Sequence, residues 1–237
     1  MITKSDKYAE CFNEDYLMGP NSIRLLDELL TLYPIDRNDK NKILDLGCGK
    51  GLTSLFIAKE TGATVYANDL WISAEENASR FEEWHMQHKM IPTCEDASNL
   101  SFEKCFFDSI ISIDAYHYFA GRPGFFENNI LPFVKPGGMV LIAVPGIKEE
   151  FEESAKEVLG EWTGEEYYMF HSPRWWKDII GLNDSMEYVK TWEMTHFNMA
   201  WGEWLATDHM YAKRDKIFFK DVIERYTNFV GIVVRKK

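Results

Sequence analysis

Cysteine is scarce in this chain: four in 237 residues, with no C-x-x-C pair and none of the spacings of a secreted disulfide framework. Cys11, Cys48, Cys94 and Cys105 are therefore expected to be free thiols in a reducing compartment, which predicts a cytoplasmic protein. No apolar stretch approaches the length of a membrane span, and Lys4, Asp6, Lys7 and Glu10 stand where a signal peptide would need an apolar run. Neither a membrane span nor a secretory leader is expected. Positive charge is also in short supply, with 26 Lys and Arg against 38 Asp and Glu, a formal net charge of −12. That sign repels phosphate backbones, so nucleic acid is not expected as a partner. The one dense basic run, Arg235-Lys236-Lys237, reads as a solvated tail. Internal repeats and low-complexity segments are absent as well.

What is present centres on Ile43-Leu44-Asp45-Leu46-Gly47-Cys48-Gly49-Lys50-Gly51. Ile43, Leu44 and Leu46 read as the end of a buried parallel strand, and Leu52 to Glu60 as the helix that follows. Three glycines at alternate positions between them predict a turn whose backbone a ligand approaches, since only glycine permits that contact and the positive φ of a sharp turn. A dinucleotide fingerprint, G-x-G-x-x-G, would carry its third glycine one residue later, which counts against a dehydrogenase. Asp45 lies two residues before the first glycine. The resulting D-x-G-x-G-x-G resembles the first motif of class I S-adenosylmethionine-dependent methyltransferases. That resemblance implies that Gly47, Gly49 and Gly51 lie under the amino-acid part of S-adenosyl-L-methionine, and that Asp45 helps hold its ammonium, directly or through water.

The rest of the chain extends the pattern. Ala63 to Ala67 reads as a second strand ending at Asn68-Asp69, and Asp69 falls where nucleotide-binding α/β folds place an acid against the ribose hydroxyls. The resemblance puts Leu70 and Trp71 beside the adenine ring. Ser73-Ala74-Glu75-Glu76 has the form of a capping box and predicts a helix running to about Lys89, carrying His85 and His88 on one face. With no carboxylate or cysteine placed to complete a set, no metal site is expected. A short strand, Met90 to Cys94, precedes Glu95-Asp96-Ala97. There the resemblance implies that Asp96 accepts from the adenine amino group while the N–H near Ala97 meets a ring nitrogen, with Glu95 a rival for the acidic role.

Phe106 to Ile113 is apolar enough to be a strand buried on both faces, and Asp114-Ala115-Tyr116-His117-Tyr118 follows at its carboxyl end, where open α/β sheets bind ligands. Asp114 is placed at the cofactor, near the transferable methyl. His117 is the candidate base, because an ordinary imidazole accepts a proton near neutral pH, and Tyr116 would orient the acceptor. The N-P-P-Y type of signature found in enzymes that methylate base amino groups is missing here. A helix from Phe125 to Val134, the turn Lys135-Pro136-Gly137-Gly138 and a strand from Met139 to Val144 follow, and a K-P-G-G turn before an apolar strand is a further point of resemblance.

At the ends of the chain the pattern is more individual. Residues 1 to 19 suit a short helix and loop across a site, with Tyr16 and Met18 either touching the ligand or packing on the sheet edge, and a helix from about Asn21 stops before Pro34. Phe151, Ala155, Val158 and Leu159 form a helical stripe. Ser172-Pro173 opens a helix through Ile180, Tyr188 to Met194 and Phe229 to Val234 read as strands, and two helices, Met199 to Tyr211 and Lys216 to Tyr226, lie between them. The expected architecture is α/β, Rossmann-like and doubly wound: a mostly parallel seven-stranded sheet with an antiparallel last strand and a helical, aromatic cover. A single methyltransferase domain is expected over residues 1–237, with cap helices in 1–40, the cofactor-binding core in 41–146 and the cover and sheet edge in 147–237. The expected function is methyl transfer from S-adenosyl-L-methionine to a small-molecule acceptor, leaving S-adenosyl-L-homocysteine. A lipid-modifying relative and a non-catalytic cofactor-binding module are the alternatives, though the first should carry a membrane-docking basic helix that is not found here.

Overall fold

The computed structural model describes residues 3–150 and 155–237, so Phe151 of the expected stripe lies outside the described residues. In chain order the main elements are α1 (Ser22–Leu32), β1 (Lys42–Leu46), α2 (Leu52–Thr61), β2 (Thr64–Asn68), α3 (Ala74–Glu83), β3 (Met90–Thr93), β4 (Phe107–Ile113) and β5 (Val134–Ile147). They are followed by α4 (Ala155–Thr163), α5 (Pro173–Ile180), β6 (Met186–Glu193), α6 (Phe197–Leu205), α7 (Met210–Phe218) and β7 (Thr227–Lys236). The strands form one seven-stranded sheet in the order β3-β2-β1-β4-β5-β7-β6. Strands β1 to β5 pair in parallel, and β7 runs antiparallel to both β5 and β6.

Alternation along the central strands explains why the sheet is covered on both faces. Ile43 of β1 and Leu141 and Ala143 of β5 enter one core with α1, α2 and α6, while Leu44 and Leu46 and Val140, Ile142 and Val144 enter the other with Phe125 and the α5 residues Trp176 and Ile180. Each strand therefore reads as a continuous apolar run. Gly62, in the left-handed region at φ 74°, ends α2 as expected.

Three elements depart from the sequence reading. Helix α3 stops at Glu83, not Lys89, because His85 takes a left-handed φ of 55° and Met86 N–H returns to the Phe81 carbonyl, closing the helix without a glycine. The helix expected over Phe125 to Val134 is a wide turn over Phe126–Ile130 followed by a tight one over Leu131–Phe133. Pro132 has no N–H to continue an α-helical ladder. The cover after β6 breaks its helices at different points, α6 ending at Leu205 and α7 opening at His209, whose ring accepts from Tyr211 N–H.

Helix α1 does more than cover the sheet. Its Arg24, Asp27 and Glu28 are all buried. The Arg24 guanidinium bonds Asp6 and Glu203, Asp27 accepts from Ser5 N–H and Oγ, and Glu28 accepts from Trp192 Nε1, Thr195 N–H and Oγ, and His196 N–H. Burying charges contributes little net stability, but a satisfied network fixes geometry. Here it locks the N-terminal segment and α6 onto one helix, and so sets the chain from Asn13 to Pro20 over the end of the sheet.

Candidate cofactor and acceptor site

A cavity of about 470 Å³ opens at the carboxyl ends of β1, β2 and β4. It lies where parallel sheets bind ligands, and its size is that of a small-molecule pocket. The turn after β1 forms its floor. Gly47 and Cys48 N–H both donate to the Asn68 carbonyl, at 2.8 and 3.0 Å, and Gly49 N–H donates to Asp69 Oδ2 at 2.7 Å, so the turn is pinned to the end of β2.

All three glycines have positive φ, 77°, 53° and 83°. The crowding around them, however, comes from this chain. A Cβ at Gly47 would lie 2.3 Å from Ala115 Cβ, one at Gly49 2.9 Å from Met18 Sδ, and one at Gly51 2.4 Å from Phe81 Cε1. The expectation that the ligand itself demands each glycine is corrected accordingly: packing against β4's exit, the N-terminal segment and α3 already demands them.

Asp69 lines the cavity and is already engaged. Besides Gly49 N–H on Oδ2, its Oδ1 accepts from Trp71 and Ile72 N–H, both at 2.9 Å, which leaves Oδ2 the more open oxygen for a ligand hydroxyl. Leu70 and Trp71 are on the wall, Trp71 with 67% of its surface exposed and its ring against Tyr118 at 4.9 Å. Asp96 and Ala97 are on the wall too. Glu95, the rival for the acidic role, is on the wall as well; both its carboxylate oxygens accept from Ser101, whereas Asp96 spends Oδ1 on Ser98 N–H. Asn68, which sequence reasoning passed over, ties the two loops together, donating to the Glu95 carbonyl and accepting from Glu95 N–H and Thr93 Oγ.

Asp45 stands apart. It is fully buried and does not line the cavity. Its Oδ2 accepts from Thr53 Oγ and Ser54 Oγ, both at 2.6 Å, so it clamps the first turn of α2 beneath the glycines. Burial pushes its pKa up to about 6 against the pull of those two hydroxyls. Direct contact with an ammonium in the cavity is not available from there; Oδ1, without a partner among the described residues, is the atom left for a bridging water.

The two candidates for chemistry are also displaced. After β4 the chain turns tightly over Tyr116–Tyr118, and this directs Asp114, Ala115 and Tyr118 to the cavity and Tyr116 and His117 away from it. Tyr116, 1% exposed, packs on Phe125 and Trp176 in the second core, where burial raises its hydroxyl pKa well above the usual value. His117 is 6% exposed, its Nδ1 has no partner among the described residues, and burial pushes its pKa down to about 3. It faces a smaller neighbouring cavity of about 210 Å³ with Tyr168 and His171. An imidazole so placed is neutral and a poor proton acceptor. The expectation of His117 as base and Tyr116 as orienting group is thus not supported by their positions.

Asp114 does face the cavity. It takes a left-handed φ of 58°, its N–H donates to the Ala143 carbonyl at 2.7 Å, and burial, with a contribution from Asp215, pushes its pKa up to about 7. Tyr118, Arg122 and Lys50 are wall residues that the sequence did not single out. Nothing in the local pattern Tyr116-His117-Tyr118 distinguishes the ring that faces inward.

The fold and cavity define an α/β protein with a ligand-sized cavity across the ends of its parallel strands. Residues 44–142 match the family described as "Methyltransferase domain". The chain is 31% identical over 135 residues to the human mitochondrial arginine-hydroxylase NDUFAF5, covering 56% of this chain and 35% of that protein. It is 26% identical over 129 residues to the sterol 24-C-methyltransferase of Candida albicans, covering 53% of this chain and 33% of that one. The chain thus spans about a third of the length of these curated relatives. Among solved structures, phosphoethanolamine N-methyltransferase 2 of Haemonchus contortus, in complex with S-adenosyl-L-methionine, superimposes with a TM-score of 0.72 at 20% identity over 97% of this chain and 56% of that one. Geranyl diphosphate C-methyltransferase of Streptomyces coelicolor, in complex with S-adenosyl-L-homocysteine, does so with a TM-score of 0.70 at 14% identity over 91% of this chain and 78% of that one. Residues 44–142 thus resemble a methyltransferase domain, and the chain shares the class I fold of solved structures that hold S-adenosyl-L-methionine or S-adenosyl-L-homocysteine.

Proposed function

We propose that this chain, as a single domain, transfers the methyl group of S-adenosyl-L-methionine to a small-molecule acceptor inside the 470 Å³ cavity. The observation that carries this reading is the continuity of the cavity from Asp96 and Ala97, past Asp69 and the glycine turn, to Asp114 and Tyr118. Asp96 and Ala97 are assigned to the adenine, Asp69 Oδ2 to a ribose hydroxyl, the Gly47–Gly49 backbone to the amino-acid part, and Leu70 and Trp71 to the flank of the ring. When bound, the cofactor supplies an electrophilic methyl on a sulfonium whose leaving group is a neutral thioether. The chain's own task is alignment and exclusion of water, which Tyr16, Met18 and the Trp71–Tyr118 pair perform from opposite sides. That related proteins are named for phosphoethanolamine, geranyl diphosphate and a sterol supports a small acceptor without choosing among them. The net charge of −12 supports a reading without nucleic acid, and among the described residues no helix is long and apolar enough to cross a membrane.

The test is calorimetric titration with S-adenosyl-L-homocysteine, followed by incubation with S-adenosyl-L-methionine and a panel of amine, phenol, thiol and carbon acceptors, read by mass spectrometry. Saturable binding and a product heavier by one methyl in place of hydrogen are expected. Absence of binding would overturn the reading, and binding without transfer to any acceptor would leave the non-catalytic module in its place.

A further inference from the structure

The wall of the cavity beyond the glycine turn is acidic and aromatic, and among the described residues no cation pairs with Asp114 there. Asp114 is held by its backbone at the end of β4, but among the described residues its carboxylate receives no hydrogen bond and forms no ion pair. The N-terminal segment closes over it, so that a Cβ on Gly19 would come within 3.2 Å of Asp114 Oδ2. Asp215 of α7 acts on Asp114 as a second negative charge from the cover, and its carboxylate accepts from two indoles, Trp162 Nε1 at 2.9 Å and Trp204 Nε1 at 2.8 Å, with no ion pair among the described residues. Tyr118, beside Asp114 on the wall, lies in the field of Asp114 and of Glu166. Of the cavity's basic residues, Lys50 donates to the Asp15 carbonyl at the opposite end of the N-terminal segment, and Arg122 reaches toward Ser98 and the Phe125 ring.

A partly buried carboxylate with no partner among the described residues and a second negative charge acting on it is costly unless a ligand supplies the missing charge. We propose that the methyl acceptor is an amine, its nitrogen seated against the Asp114 carboxylate with the Tyr118 ring beside it. This deepens the methyl-transfer reading and rests on it. Aromatic faces together with a carboxylate are the chemistry that recognises ammonium groups. The bound ammonium first gives a proton to the Asp114 carboxylate, which frees the nitrogen lone pair; that pair forms the new N–C bond, the electrons of the broken C–S bond remain on sulfur as the neutral thioether, and the positive charge passes to nitrogen.

The experiment uses the full chain saturated with S-adenosyl-L-homocysteine and titrated with choline and tetramethylammonium chlorides, against 3,3-dimethylbutanol, the neutral isostere of choline. Wild type should bind at least one of the cations and not the isostere. Asp114→Asn should weaken that binding by about tenfold or more, as expected for loss of a charged contact, with homocysteine-cofactor affinity within about threefold. Tyr118→Leu, which leaves the carboxylates in place, should weaken cation binding to a smaller extent. Equal binding of cation and isostere, or binding of neither cation, overturns the amine assignment. Loss of S-adenosyl-L-homocysteine affinity in Asp114→Asn, with Tyr118→Leu unaffected, also overturns it, because Asp114 would then serve the cofactor's own ammonium. In all three cases the methyl-transfer reading stands, whereas failure of wild type to bind S-adenosyl-L-homocysteine removes that reading itself.

Discussion

Two neighbouring titratable side chains, Asp114 and His117, are moved in opposite functional directions by burial, which penalises the charged form of each. For Asp114 the folded-state pKa of about 7 exceeds the ordinary value of 3.8, so the unfolded chain gives up this proton first as pH rises. Its contribution to stability is therefore fully present below pH 3.8 and is lost progressively as pH rises through 7. Asp114→Asn should raise the unfolding midpoint relative to wild type, with the gain growing from pH 5 to pH 7 and level above pH 8. Urea titrations at three pH values measure this, and a gain independent of pH would show that the carboxylate is not desolvated. For His117 the low pKa of about 3 predicts that chemistry does not use it. His117→Gln should keep turnover within about threefold and leave the pH–rate profile unchanged, whereas a fall of about 10²–10⁴ with loss of the acid limb would restore the imidazole as base.

At the scale of elements, the turn between β1 and α2 depends on a carboxylate from another strand. Asp69 holds Gly49, Trp71 and Ile72 N–H, so Asp69→Ala frees three donors as well as removing a ligand acceptor. Loss of S-adenosyl-L-homocysteine affinity by about tenfold or more is expected together with a lower unfolding midpoint, because each freed donor costs on the order of 1 kcal/mol. Calorimetry and thermal unfolding on one preparation separate the two effects. Helix α1 supplies the second case. Its residue Arg24, 7% exposed at the side chain, pairs Asp6 of the N-terminal segment with Glu203 of α6. Arg24→Ala leaves both carboxylates without their cation and should lower the unfolding midpoint, although Asp6 and Glu203 keep some contact with water. If α1 positions the cap as described, the same variant should release S-adenosyl-L-homocysteine faster, as measured by surface plasmon resonance. An unchanged off-rate would separate the network from the site.

At the scale of the whole molecule, ligand binding and stability are linked, since a cofactor that binds the folded chain alone raises its melting temperature by mass action. S-adenosyl-L-homocysteine should do so and NAD should not, a difference read in a single thermal-shift plate; an equal shift with NAD would reopen the dinucleotide reading. The parallel strands β1 to β5 were legible in the sequence because strands buried on both faces appear as unbroken apolar runs punctuated by Gly, Pro and Asp. That Asp69, Asp96, Gly47 and Gly49 line one cavity was legible too, for they sit at strand ends, where one-dimensional spacing and three-dimensional position coincide. The acceptor end was not. Whether Tyr116, His117 or Tyr118 faces the cavity is decided by a tight turn whose direction depends on Phe125 and Trp176 filling the second core. That Asp215 adds negative charge at Asp114 depends on a helix about a hundred residues further along the chain. By itself the sequence determined a class I fold, because that follows from local pattern. Only the tertiary structure decided which carboxylates are desolvated, because desolvation is a property of everything packed around a group and of no residue alone.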